Sequence, residues 1–200
     1  SVLPLALAMG PAAAAELRYL ALGDSYTIGE GVPEAVRWPT QLAQALRARG
    51  FDVATPRYVA RTGWTTDELA AAMDGTDFAP PHDLVSLLIG VNNQYRGRDA
   101  QQYQREFAAL LARAIELAGG RSDRVFVLSI PDWGVTPFAA GSDRDPAQVA
   151  RELDDYNALA LAECRRRNVA FVDITPLSRG VARAELTADG LHPSAAQYTR

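Results

Sequence analysis

Lysine is missing from these 200 residues: all 20 basic side chains are arginines. That excludes Schiff-base lysines, Walker-A phosphate loops and Ser-Lys hydrolase dyads. Cysteine occurs once, as Cys164, so the chain can form no intrachain disulfide and no cysteine-rich zinc site. Histidine occurs twice, and His82 and His192 lie too far apart for a zincin helix motif. A long basic run is also lacking. With 20 basic against 24 acidic residues the formal charge is −4, which argues against nucleic-acid binding through a general phosphate footprint. The chemistry is left to carboxylates, hydroxyls, amides and at most two imidazoles.

What is present suits one globular domain. The length is that of a single domain, and 48% hydrophobic residues suffice for a substantial core. Residues 1–15, SVLPLALAMGPAAAA, are apolar but too short to span a bilayer. They resemble a secretory signal peptide without its charged start, with an Ala-x-Ala pattern at Ala13 and Ala15. That reading implies a periplasmic or secreted protein. The competing one is an N-terminal arm, residues 1–16, on a cytoplasmic protein. The domain proper is expected over residues 17–200. The chain stops at Arg200 inside a helix-starting pattern, as a shortened C-terminus would.

From Leu17 onward, short apolar runs alternate with helical patterns. Strands are expected at Leu17–Gly23, Asp52–Ala60, Asp83–Gly90, Arg124–Ile130 and Ala170–Ile174. The third and fourth are almost continuously apolar, as strands covered on both faces are. Helices are expected at Trp38–Arg49, from a Thr65-x-x-Glu68 capping box to Met73, at Gln101–Ala118, and at Pro146–Arg167. Five strands alternating with helices predict an α/β fold: a parallel sheet with helices on both faces.

In such a sheet reactive groups collect at the carboxyl ends of the strands. Four turns follow strands there: Gly23-Asp24-Ser25-Tyr26, Arg61-Thr62-Gly63-Trp64, Gly90-Val91-Asn92-Asn93 and, after a longer loop, Asp189-Gly190-Leu191-His192. Together they hold a hydroxyl, a flexible backbone N–H, an amide and an Asp/His pair. That is the inventory of a serine hydrolase.

At these residues the chain resembles the SGNH hydrolases, the GDSL esterase/lipase family. Gly23-Asp24-Ser25 matches the nucleophile block, Gly63 the second, Gly90-x-Asn92 the third and Asp189-x-x-His192 the last, in order over residues 17–198. Tyr26 stands where the family has Leu, and Asn93 where it has Asp. The resemblance implies a flavodoxin-like three-layer α/β/α domain with a five-stranded parallel sheet. It also implies a metal-free, cofactor-free serine esterase acting on a small ester. Ser25 would be the nucleophile, His192 its base and Asp189 the group that orients the imidazole. The oxyanion hole would be the N–H groups of Ser25 and Gly63 and the side-chain amide of Asn92. The family spans lysophospholipases, thioesterases, short-chain esterases and carbohydrate deacetylases, and the motif residues do not discriminate among them. The polar stretch Gln94–Asp99 favours short-chain acyl or carbohydrate acetyl esters, with Arg96 and Arg98 either holding a polar leaving group or pointing to water as an ordinary solvated turn. An acyltransferase, or a binding module with a vestigial site, are the rival readings.

Each residue also has a plainer reading. Ser25 or Asp189 could cap a helix, Asn92 could be a turn residue with Asn93 the functional one, and Gly63 could serve only backbone geometry. His82, after Pro80-Pro81, is expected in a surface loop. Asp154-Asp155 points in two directions on a helix and reads as a solvated face. Trp38 and Trp133 are core or pocket wall, and Cys164 is buried filler.

Overall fold

The structure is a computed structural model that describes residues 15–78 and 81–200. The signal-peptide reading therefore falls almost wholly outside the described residues. In chain order the described elements are β1 (Tyr19–Gly23), α1 (Ser25–Ile28), α2 (Trp38–Ala48), β2 (Arg57–Ala60), α3 (Thr66–Asp74), β3 (Leu84–Leu88) and α4 (Val91–Tyr95). Then come α5 (Ala100–Leu117), β4 (Val125–Leu128), α6 (Pro137–Ala140), α7 (Pro146–Arg166), β5 (Ala170–Val172), α8 (Thr175–Arg179) and α9 (Ala195–Tyr198).

The five strands pair in the order β2-β1-β3-β4-β5, all parallel. Strand order reverses at β1: the chain leaves it toward β2 on one side and returns to β3 on the other. In a parallel sheet the crevice beyond the strand ends at such a reversal is where ligands bind. The turns after β1, β2 and β3 all open there.

The two faces are covered unequally. Leu20, Leu22, Val85, Leu87, Val125 and Val127 point to one side and pack under α3, α5 and α7. On α5 the buried residues Tyr103, Phe107, Leu110, Leu111 and Ala114 recur at helical spacing. Tyr103 stacks on Tyr156 of α7 with ring centroids 4.3 Å apart. Tyr19, Ala21 and Phe126 face the other side, against Trp38, Leu42 and Leu46 of α2. Beyond α2 this second face carries an apolar cavity of about 460 Å³ over Leu88, Phe126, Leu128 and Ile174.

The expected strand Asp52–Ala60 is shorter than the pattern implied. Pro56 has no N–H for the ladder, so β2 begins at Arg57, and Val53 makes only an isolated bridge to Leu17. The capping box forms as expected: Glu68 Oε2 accepts the Thr65 N–H at 2.9 Å at the head of α3. His82 is a correction. It is only 5% exposed, its ring stands edge-on to Phe78, and it lies at the amino end of β3, on the edge opposite the four turns. Burial lowers its basicity. Cys164 is fully buried, and that burial pushes its thiol up to about 12. Trp133 belongs to the core. Asp154 is exposed and pairs with Arg179 at 2.8 Å. No helix among the described residues is long and apolar enough to cross a membrane.

Candidate functional site

The first turn is built by Asp24. Its carboxylate accepts the Tyr26 N–H at 3.0 Å and N-caps α1, so Ser25 is the first helical residue rather than the cap. As the first residue of a helix, Ser25 has no intrahelical acceptor for its N–H. Gly23 is required by space: a Cβ there would collide with the Thr27 hydroxyl and the Leu88 carbonyl oxygen. The Tyr26 carbonyl then takes two long-range donors, Trp38 Nε1 at 3.1 Å and the Tyr198 hydroxyl at 3.2 Å, which pin the short helix. Asp24 is completely buried, and its Oδ2 has no partner among the described residues. That burial pushes the carboxyl up to about 7, against the pull of the Tyr26 N–H.

The second turn is closed by the Trp64 N–H on the Arg61 carbonyl at 3.2 Å, with Gly63 at φ +87°. That is the left-handed backbone which glycine adopts without strain. Thr62 donates its hydroxyl to Glu30, just beyond α1, so the first two turns are tied together. The Gly63 N–H has no acceptor among the described residues.

The third turn opens α4. Asn92 Nδ2 donates to the Trp64 carbonyl at 2.9 Å, which leaves its second hydrogen uncommitted. Asn93 is completely buried, with both ends of its amide committed to Thr66. The neighbouring Gln94 is locked in the core by Trp133 Nε1 at 2.8 Å and by Glu152 at 2.6 Å. Arg96 and Arg98 depart from expectation. Arg96 bonds Glu68 and the Gly63 carbonyl, and Arg98 bonds Asp67 at 2.5 Å. Both guanidiniums are held by the head of α3 rather than left for a leaving group. The apolar surface at this edge is instead a rim of Tyr95, Val135 and Phe138, each 39–50% exposed. The Tyr95 and Phe138 rings lie 6.2 Å apart.

The fourth turn orders the histidine. Asp189 Oδ1 accepts the Thr187 hydroxyl at 2.7 Å and the N–H groups of Leu191 and His192 at 2.8 and 3.0 Å. Its Oδ2 meets His192 Nδ1 at 2.6 Å. Burial pushes this carboxyl up, but the imidazole, the hydroxyl and the two N–H groups outweigh it and hold the acid well below the usual carboxylate range. An ionised Asp189 fixes the proton on Nδ1 and leaves Nε2 with its lone pair. The loop is closed by the Thr187 N–H on the His192 carbonyl at 2.8 Å, and it is joined to the rim by the Phe138 N–H on the Gly190 carbonyl at 3.2 Å. α9 is capped by Ser194, so Asp189 is no helix cap.

His192 and Ser25 are 6% and 5% exposed, and the His192 ring lies 5.5 Å from that of Tyr26. The Ser25 hydroxyl has no hydrogen-bond partner among the described residues. Such bonds are commonly long in a free enzyme and tighten around substrate. The apolar cavity on the second sheet face has Tyr26, Leu191 and Pro193 in its wall but none of Ser25, Gly63, Asn92, Asp189 or His192. The described residues contain no cluster of three or more His, Cys, Asp or Glu able to hold a metal ion. Thr187 escaped the sequence reading although it carried a weak signal, a hydroxyl two residues before an Asp. Arg96 was singled out there for another role, and its hold on the Gly63 carbonyl carried no signal because the two are distant in sequence.

The comparisons with known proteins agree with this fold. Among solved structures the chain is similar to TesA, with a TM-score of 0.71 and 22% identity over 92% of each chain. It is similar to the psychrotrophic esterase EstA from Pseudoalteromonas sp., inhibited by monoethylphosphonate, with a TM-score of 0.69 and 16% identity over 92% of this chain and 91% of that one. A single-substitution variant of Axe2, an acetyl xylan esterase from Geobacillus stearothermophilus, gives a TM-score of 0.66 and 22% identity over 92% of this chain and 89% of its own. At these identities the likeness shows the fold. No curated protein matches the sequence. A family model described as the GDSL-like lipase/acylhydrolase family matches residues 21–200, from within β1 to the end of the chain. Because that match takes in all four turns at the carboxyl edge of the sheet, the chain belongs to the GDSL-like lipase/acylhydrolase family of carboxylic ester hydrolases.

Proposed function

We propose that the protein is a serine esterase that hydrolyses a carboxylic ester through an acyl-enzyme on Ser25. The observation that carries this reading is the 2.6 Å contact of Asp189 with His192 Nδ1, at the same sheet edge as Ser25. Nε2 of His192 is then free to take the Ser25 proton as the oxygen attacks the ester carbonyl. The oxyanion of the tetrahedral intermediate is met by the N–H groups of Ser25 and Gly63 and by the second hydrogen of Asn92 Nδ2. One such donor contributes roughly 3–4 kcal/mol in the transition state. His192 returns the proton to the leaving alcohol, and water repeats the sequence to release the acid. Esters with short acyl groups, including acetylated carbohydrates, are the favoured substrates. Support for this is the open rim of Tyr95, Val135 and Phe138, which offers a sugar ring or a few methylene groups a face to lie on.

The test is labelling with a fluorophosphonate, location of the adduct by peptide mass spectrometry, and turnover over a panel of esters. An adduct on Ser25 that Ser25→Ala abolishes, together with hydrolysis, is expected. Turnover without an adduct on Ser25 would overturn the assignment. Ligand binding with neither an adduct on Ser25 nor turnover would favour a binding module with a vestigial site, and transfer of the acyl group to an alcohol in preference to water would indicate an acyltransferase.

A further inference from the structure

We infer that Arg96 is a positioning residue for the oxyanion site, holding the Gly63–Trp64 backbone in the orientation the reaction needs. The inference rests on the esterase reading above.

Arg96 ends α4 and spans two partners. Its Nη2 donates to the Gly63 carbonyl at 2.6 Å, and its Nη1 pairs with Glu68 Oε1 at 3.3 Å. The other oxygen of Glu68 accepts the N–H and the hydroxyl of Thr65, at 2.9 and 3.0 Å. The guanidinium thus braces the Gly63 peptide against the capped head of α3. Asn92 lies four residues earlier, one turn back on the same helix, and donates to the next carbonyl, that of Trp64. Two side chains on one face of α4 therefore hold two successive carbonyls of the turn. On the far side Thr62 is held by Glu30.

The physical need follows from the residue type. Gly63 sits at φ +87° in a turn that is partly exposed, and glycine is the least restrained residue in the chain. An N–H donor aimed at a developing oxyanion works only when it is pre-oriented, and a misplacement of about 1 Å can cost about a hundredfold in rate. The Arg96 contact and the Trp64 N–H to Arg61 bond hold the Gly63–Trp64 peptide, and the Thr62 hydroxyl on Glu30 anchors the residue before it, so the Thr62–Gly63 peptide that carries the Gly63 N–H is braced at both ends. The Arg96 and Glu68 side chains are 43% and 40% exposed, so their ion pair adds little to stability. Its removal should appear in turnover, not in unfolding.

The experiment compares Arg96→Met, Arg96→Lys and Glu68→Gln with the wild-type chain in ester hydrolysis, in thermal unfolding and in affinity for an aryl trifluoromethyl ketone. The adduct of that ketone carries the oxyanion. Arg96→Met should lower kcat by about ten- to a hundredfold with KM within about twofold. Ketone affinity should fall by the same factor as kcat/KM. Arg96→Lys, which can reach one carbonyl but cannot fork, should recover part of the loss. Glu68→Gln should fall between Arg96→Lys and wild type. Tm should move by less than about 4 °C in each. Arg98→Gln is the control: it removes a similar exposed pair without touching Gly63 and should leave kcat unchanged. Wild-type kcat in Arg96→Met, or lowered kcat with undiminished ketone affinity, would overturn the inference. So would a loss that Arg98→Gln reproduces. A wild-type chain that hydrolysed no ester and took no label on Ser25 would instead bring down the esterase reading itself.

Discussion

Asn93 and Thr66 hold each other twice: Asn93 Oδ1 accepts the Thr66 N–H at 3.0 Å, and Asn93 Nδ2 donates to the Thr66 hydroxyl at 2.6 Å. The pair joins the start of α4 to the start of α3 across a fully buried contact. It also separates the two adjacent asparagines, because Asn93 is completely buried behind Thr66 and out of a substrate's reach, while Asn92 is only half-buried and keeps an uncommitted hydrogen. Asn92→Ala should therefore lower kcat by about 10²–10³ with KM little changed. Asn93→Ala should act on stability, since it strands the Thr66 N–H in the interior at a cost of about 1–3 kcal/mol. Steady-state kinetics beside thermal unfolding checks both. The reverse pattern would mean the wrong amide has been placed in the oxyanion hole.

Ser25→Ala and His192→Ala should each remove nearly all turnover without unfolding the protein, because the two groups act as one unit. Retention of more than about a tenth of wild-type kcat, an effect of only about 1.4 kcal/mol, would contradict the assignment. Replacing the distant, buried His82 by Asn should leave the pH profile of activity where it was.

Acid should weaken the fold through Asp189. Its folded carboxyl lies below the usual range, so the stability it contributes is present above the unfolded value near 3.9 and is lost as pH falls below it. Asp189→Asn should flatten the fall of Tm with pH below about 4. It should also depress kcat by up to about 10⁴, since the amide no longer fixes the imidazole tautomer. An unchanged acid limb of the Tm curve would show that Asp189 is not held as the structure has it.

Asp24 should act in the opposite sense. Burial raises its carboxyl to about 7, so its contribution is fully present below the unfolded value and is lost as pH rises toward 7. Asp24→Asn keeps a side chain that can N-cap α1 and removes the charge. Relative to wild type, its Tm should improve between about pH 4 and pH 7 and then level off, as differential scanning fluorimetry from about pH 4 to pH 8 would show. A constant difference would mean Asp24 is ionised throughout.

Chain-length preference tests the rim. Across p-nitrophenyl esters of two to sixteen carbons, below micelle formation, kcat/KM should peak at short acyl groups. Phe138→Ala and Tyr95→Ala should lower it most for the longer of the accepted chains, by about tenfold for one or two methylene groups no longer covered. An optimum at ten carbons or more would place the substrate among lipids and leave the esterase reading intact.

How much of this was legible beforehand depends on the length over which each feature is written. The apolar runs of β1, β3 and β4 and the period-3.6 patterns of α2, α5 and α7 are written in neighbouring residues, and the structure places their ends within about two residues of expectation. The Thr65–Glu68 cap and the left-handed Gly63 are local chemistry and were legible for the same reason. The helices α1, α4, α6 and α8 were not, because four or five residues are too few for periodicity to show and only tertiary packing holds them.

The four motif blocks could be read in order, and with them the chemical inventory of the site. Which asparagine stays within a substrate's reach, whether His82 is exposed, and what the arginines of the α4 turn hold were decided elsewhere. Arg96 reaches Gly63 across 33 residues and Glu68 across 28, and Trp133 reaches Gln94 across 39. The amino-acid sequence determined which strands and long helices form and which reactive groups stand at their ends, because backbone propensity and apolar spacing act over neighbouring residues. Tertiary structure decided which of those polar groups are spent on one another and which are left for substrate, because hydrogen-bond partners in a folded chain are chosen by distance in space.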